Sequence, residues 1–225
     1  MPAILHIETS TTACSVALGV NGSLTGEQTS DSGPSHSALA GVFVKNILGL
    51  LPGSKPDAIA VSSGPGSYTG LRIGLSLAKG LCFGYDIPLI AVPTLLLLAS
   101  QAVAAVSAAE PNAPAALYCP MIDARRMEVY AAVYSRNLGE LRPAHAEIVD
   151  PQSYSDLLNG GPVYFCGNGS SKCREIIAHP NALFIDNLHP SAKAMIPLAE
   201  AAWKEGRFED AAYFEPFYLK QWGEK

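Results

Sequence analysis

Residues 3–29 read AILHIETSTTACSVALGVNGSLTGEQT. Three β-forming runs, Ala3 to Glu8, Ala13 to Val20 and Leu24 to Thr29, are separated by short polar punctuation: TSTT at Thr9 to Thr12, then Asn21-Gly22. Asn-Gly between two such runs is a strong two-residue hairpin signal, so an antiparallel three-stranded meander is expected.

Outward from that meander, Ser35 to Leu51 carries Leu39, Val42, Phe43, Asn46, Ile47 and Leu50 at helical spacing and is stopped by Pro52-Gly53. A strand at Ala58 to Ser62, a helix at Gly70 to Tyr85, a strand at Pro88 to Val92 and a helix at Pro93 to Ala109 follow, giving βββαβαβα. The proline-rich EPNAPA of Glu110 to Ala115 interrupts the pattern and marks the expected boundary between residues 1–109 and 110–225. Beyond it the order recurs. Leu117 to Ile122, Met127 to Tyr134 and Leu141 to Val149 read as strands, Pro151 to Asn159 as a short helix, and Val163 to Cys166 as a strand. Ser170 to Ala178, Leu183 to Ile185 and Ser191 to Gly206 read as helix, strand and helix. The expected fold is therefore α/β, two duplicated βββαβαβα halves in the manner of actin-like ATPase and ribonuclease H-like domains. In actin-like pairs a nucleotide sits in the cleft between halves, which is an analogy of fold and not evidence of function.

The 225 residues hold 15 Lys plus Arg against 20 Asp plus Glu, a formal charge of −5, with 48% apolar and 16% charged residues. That balance excludes a disordered chain and disfavours a basic nucleic-acid scaffold. Cys14, Cys82, Cys119, Cys166 and Cys173 are odd in number and mostly set in apolar runs, which implies buried thiols and no disulfide framework. Met1 to Ser10 lacks the basic and apolar regions of a signal peptide, so a cytoplasmic location is expected. Leu89 to Ala109 is uncharged over a span's length, but Pro93, Gln101, two serines and many alanines fit a buried helix better than a membrane segment.

The sharpest local signal is GPGSYTGLRIGLSLAKGL, Gly64 to Leu81. A glycine-rich strand-to-helix loop can aim backbone N–H groups at an anion. This one lacks the Gly-Lys-Ser/Thr ending of a P-loop, and Gly64, Gly66 and Gly70 miss the GxGxxG register, so a tight turn needing small residues is the weightier reading. Gly70, Gly74, Ala78 and Cys82 then form a small-residue ridge, equally suited to internal packing against the Ser35 to Leu51 helix or to a partner helix. Glu8 and Asp123 end corresponding strands where actin-like enzymes hold magnesium, although Glu8 is one methylene longer than the usual Asp. A structural cap on the TSTT turn serves equally well. With Thr9, Ser10, Gly64, Gly66, Gly167 and Gly169 they are the candidate residues for a vestigial nucleotide or anion cleft. His36 is followed four residues later by Ala40, so no HxxxH metal pair exists, and a metal centre is not expected. Arg125 and Arg126 beside Asp123 could bind an anion, with Lys172 and Arg174 in one local patch, or simply be a solvated turn, which is the commoner case.

ILHIETSTTACSVAL at Ile4 to Leu18, the Gly64 to Leu81 block, IPLIAVPTL at Ile87 to Leu95, MIDARRMEVYAAVY at Met121 to Tyr134, the Gly167 to Gly169 GNG and EPFYLKQW at Glu215 to Trp222 together resemble the bacterial TsaB (YeaZ) family, paralogues of the Gcp/Kae1/TsaD proteins. The resemblance runs end to end; Glu8 departs from the family's usual Asp, and Tyr68 from the commoner Phe. It implies an accessory, non-catalytic subunit in making tRNA threonylcarbamoyladenosine. A TsaD-like paralogue would hold the metal and transfer the threonylcarbamoyl group, a TsaE-like ATPase would join, and tRNA would engage through the complex. The family's partner surface carries over to the Ser35 to Leu51 and Gly70 to Tyr85 helices, and hence to His36, Leu39, Phe43, Gly70, Gly74, Leu77, Ala78 and Leu81. A homodimer through the same surface is a further expectation. No cofactor is expected on this chain alone, with ATP or ADP and magnesium only at a composite site. The competing reading is a stand-alone actin-like ATPase or a glycopeptidase of the M22 type.

Overall fold

The computed structural model describes residues 2–30, 36–110 and 115–220. Ser35, most of the 110–115 linker and the end of the EPFYLKQW segment fall outside them. By contacts the chain forms two units, Met1–Thr94 with Pro190–Tyr218, and Leu95–His189 with Leu219–Lys225.

The first unit is built on β1 (Ala3–Glu8), β2 (Cys14–Val20), β3 (Ser23–Ser30), α1 (His36–Leu48), β4 (Ala58–Gly64), α2 (Tyr68–Tyr85) and β5 (Leu89–Pro93). Its sheet has the order β3-β2-β1-β4-β5, antiparallel across the meander and parallel from β1 to β4 to β5. Asn21 and Gly22 both have positive φ, at 55° and 75°, as a tight hairpin twisted with its strands requires, and they pair Val20 with Ser23. Every residue of β1 and β4 is buried, the signature of central strands covered on both faces. One face, with Leu5, Ile7, Val16, Leu18, Ile59 and Val61, packs against Val44, Ile47 and Leu48 of α1 and Leu75 and Ala78 of α2.

The second unit holds α3 (Thr94–Ala109), β6 (Leu117–Asp123), β7 (Glu128–Tyr134), β8 (Glu140–Ile148), α4 (Ser155–Leu158), β9 (Val163–Cys166) and β10 (Ala182–Ile185). Its strand order, read from the meander edge as β8-β7-β6-β9-β10, repeats that of the first sheet. The expected duplicated α/β, actin-like architecture is therefore present. On one face Leu95, Leu98 and Ala99 of α3 meet Ile122, Ala132 and Tyr134. On the other, Met121, Val129 and Phe165 meet Leu158, Cys173 and Ile177.

Two helices depart from the division at 109/110. α3 packs with the second sheet, and α5 (Ile196–Lys204) packs with β1 and β5 of the first. Both follow the last strand of a half, where order along the chain does not dictate which sheet is covered. Shorter elements also differ. Ser170 to Ala178 makes only a 3-10 turn at Ser171–Cys173 followed by turns, because ten residues between Gly169 and Pro180 give too little length to repay helix nucleation. Pro151 to Asn159 is helical only at Ser155–Leu158, because Asp150 accepts the Gln152 and Ser153 amides and Tyr154 turns left-handed at φ 63°. Ser191 to Gly206 splits into a 3-10 turn, Ala192–Met195, and α5 with Pro197 in its first turn.

Candidate functional site

In the first unit the strand-end residues converge as expected, but on one another. Glu8 is fully buried, and its Oε1 accepts hydrogen bonds from the Ser10 amide and hydroxyl, both at 2.5 Å. This is the structural cap on the TSTT turn. Burial pushes the Glu8 carboxyl up to about 7 against the pull of the Ser10 hydrogen bonds, so it changes charge near neutrality instead of in the usual carboxylate range. Gly66 and Gly70 lie directly against this turn: a Cβ on Gly66 would stand 2.4 Å from the Ser10 carbonyl oxygen, and one on Gly70 2.1 Å from that of Thr9. Gly74 is pinned by the Thr9 hydroxyl, which donates to the Gly70 carbonyl at 2.8 Å. At Gly64, φ is 104° and the Phe217 carbonyl oxygen occupies the place of a Cβ. Ser67 caps α2 by accepting the Gly70 amide at 3.2 Å.

The second unit repeats this arrangement with weaker burial. Gly167, at φ 91°, lies against the Met121 carbonyl oxygen, and Gly169 against the backbone of Ile122 and Asp123. Asp123 is exposed; its Oδ1 accepts from the Arg125 amide at 2.9 Å and Lys172 Nζ at 2.5 Å. The loop glycines at 64, 66, 70, 167 and 169 thus admit the chain's own backbone, and both side-chain carboxyl groups are engaged by local donors. Among the described residues no group of three or more His, Cys, Asp or Glu is arranged to hold a metal, and no helix is long and apolar enough to cross a membrane. All five cysteines are free and buried.

The expected partner residues divide. Gly70, Gly74 and Ala78 are buried inside the first unit, the two glycines against Thr9 and Ala78 in the core, so the ridge is engaged in internal packing. Leu39, Phe43, Leu77 and Leu81 are half-buried on α1 and α2, while the side chain of His36 lies outside the described residues. Ala40, in the place of a second imidazole, is buried. The stripe expected on α1 is rotated: Ala40, Val44, Ile47 and Leu48 face the core, whereas Val42 and Leu50 are about half exposed. A second stripe on α2, Ser76, Gly80 and Gly84, faces outward with open space around both glycines. Beside it Phe83 is 91% exposed. The sequence held the signal for this stripe in the glycines of AKGLCFG; the stronger run at 70, 74 and 78 masked it.

A tail after α5 returns across the first unit. Glu209 donates its amide to the Leu89 carbonyl at 2.9 Å, Phe217 donates to Ser63 at 2.7 Å, and the Tyr218 ring lies 4.8 Å from that of Tyr68. Nothing in the sequence reading placed this strap.

Comparison with known proteins agrees with the geometry. The family model described as TsaD, tRNA N6-adenosine threonylcarbamoyltransferase, matches residues 32–221. The tRNA threonylcarbamoyladenosine biosynthesis protein TsaB of Escherichia coli K12 is 32% identical over 96% of this chain and 94% of its own length. The protein of the same name from Haemophilus influenzae is 30% identical over 96% and 93%. The solved structure of YeaZ from Pseudomonas aeruginosa superposes with a TM-score of 0.80 at 28% identity, covering 97% of this chain and all of that one. With that likeness end to end, and the internally filled glycine loops behind it, the chain belongs to the TsaB (YeaZ) family of tRNA threonylcarbamoyladenosine biosynthesis proteins.

Proposed function

We propose that this chain is the accessory, non-catalytic subunit of a tRNA threonylcarbamoyladenosine complex. It stabilises the competent form of a TsaD-like paralogue that carries the metal and transfers the threonylcarbamoyl group to the adenosine beside the anticodon. The observation that carries this reading is the full-length kinship with TsaB proteins in a chain whose Ala40 stands where a metal-binding pair needs its second histidine. Any ATP or ADP with magnesium belongs to a composite site in the assembled complex, which a TsaE-like ATPase joins in the cytoplasm, and tRNA is engaged by that complex.

The docking face is the outer side of α1 and α2. Val42 and Phe83 offer exposed apolar surface, flanked by Leu39, Phe43, Leu77 and Leu81, and the outward Gly80 and Gly84 allow a partner helix to approach closely. The same face would support self-association. Reconstitution of the modification reaction with and without this chain tests the role: loss of product on omission and recovery on adding it back support it, and undiminished product refutes it. Phe83→Asp should fold with stability within about 0.5 kcal/mol of the parent, since so exposed a side chain contributes little to the core. It should weaken co-purification with the TsaD-like partner about ten-fold or more; unchanged co-purification would move the docking face elsewhere. Titrating the isolated chain with ATP and magnesium checks the stand-alone ATPase, which saturable binding with turnover would restore.

A further inference from the structure

The turn between β6 and β7 is built at a conformational disadvantage. Arg125 and Arg126 are consecutive residues at φ 73° and 48°, in the left-handed region that glycine or asparagine occupies most readily. Two adjacent long side chains there are unfavourable unless the surroundings impose them, and such strain concentrates where a side chain is needed for function. The surroundings do impose them. Lys172 Nζ donates to the carbonyls of Arg126 and Glu128, both at 2.7 Å, and to Asp123 Oδ1. The Ala124 amide donates to the Glu128 carbonyl, the Glu128 amide to the Arg125 carbonyl, and the Asp123 amide to Asn168 Oδ1.

That clamp also settles the local charge. Asp123 is paired with Lys172 and Glu128 with Lys220, so the nearby acids are neutralised by lysines behind the turn. Arg174 is engaged elsewhere, with Asp186 and the face of Phe184. Arg125 and Arg126 are exposed and, among the described residues, have no side-chain hydrogen bond or ion pair. A rigid tip with two uncompensated guanidinium groups results, on a chain whose net charge is −5. Guanidinium forks match phosphate oxygens bidentately, and a fixed turn loses little freedom on binding them.

We propose that the β6–β7 turn is a direct contact of this chain with the sugar-phosphate backbone of tRNA, Arg125 and Arg126 each pairing with phosphate. This rests on the threonylcarbamoyladenosine reading for its choice of RNA. The test uses the complex of this chain with its TsaD-like partner and an unmodified tRNA transcript bearing adenosine next to the anticodon, titrated between about 50 and 200 mM salt. The double variant Arg125→Ala, Arg126→Ala should lose about ten-fold in affinity at the lower salt, with the salt slope reduced by about one to two. Arg125→Gly with Arg126→Gly should lose the same affinity while unfolding at higher denaturant than the parent, because glycine relieves the backbone. Affinity and slope equal to the parent's would overturn the proposal, as would a parental complex that binds no tRNA. Loss of co-purification with the protein partner would assign the turn to a protein contact and overturn it too. Failure here is distinct from failure of the accessory role: if omitting the chain stops product formation while the double variant binds tRNA like the parent, only this inference falls.

Discussion

At the scale of single residues, the first unit buries two groups that titrate in opposite senses. Glu8 is raised by burial from 4.5 to about 7, and His6, also fully buried, is lowered by burial from 6.5 to about 4. For Glu8 the folded state holds a proton that the unfolded state releases, so its contribution to stability falls as pH rises from about 4.5 to 7. For His6 the unfolded state binds the proton, so its contribution falls as pH drops from about 6.5 to 4. Between about 4.5 and 6.5 the two slopes cancel, and stability should change little. Glu8→Gln keeps an acceptor for Ser10 and removes one slope. Its advantage over the parent should be near zero at pH 4.5 and grow to about 3 kcal/mol at pH 8, read by urea unfolding at each pH. A constant difference across that range would show that Glu8 does not titrate between folded and unfolded states. The sequence disclosed Glu8 at the strand end and its capping alternative. It could not disclose the burial, because burial depends on Ser62 of β4 and the helices beyond, and not on Glu8's own neighbours in the chain.

Among elements, α2 separates packing from display. A Cβ at Gly70 meets a backbone oxygen that has no room to retreat, so Gly70→Ala should destabilise by about 1–3 kcal/mol, the usual cost of overpacking. Gly80→Ala meets nothing within 4 Å and should stabilise by about 0.5–1 kcal/mol through helix propensity. Chemical denaturation distinguishes them, and equal effects at the two glycines would contradict the orientation of α2. The contrast also bears on binding assays: a Gly70 or Gly74 variant disturbs the packing against Thr9, so a loss of partner binding there has to be read beside its stability. The spacing of small residues was legible, but α2 carries two such stripes, and only the third dimension says which one meets β1. Likewise α1 was legible as a helix, while its buried face is set by the sheet beneath it. The strands are the most legible elements, because Asn21-Gly22 and the apolar runs act locally; the helices expected over 151–159, 170–178 and 191–206 are shortened or broken because Asp150, Pro180 and Pro197 outweigh periodicity there.

For the whole molecule, the duplication was visible in the repeated order of elements, whereas the destination of α3 and α5 was not. Neither unit follows the division at the linker: the first needs Pro190–Tyr218 from beyond it, and the second begins before it, at Leu95. Fragments cut at the linker, residues 1–109 and 110–225, should therefore each lack a covering helix and expose one sheet face. Separately expressed, each is expected to show no cooperative thermal transition by circular dichroism, and a sharp transition in either would refute the discontinuous units. The tail strap carries this further, into the order of events at the ribosome. β1 emerges early, yet the carbonyl that fills the space at Gly64 belongs to Phe217, so the first unit waits for nearly the last residues described. At synthesis rates of about 5–20 residues per second that interval is on the order of ten seconds, during which the apolar faces of β1 and β4 have no complete cover. The nascent chain should accordingly be a client for chaperones that hold exposed strands, and completion of the first unit a late event in synthesis.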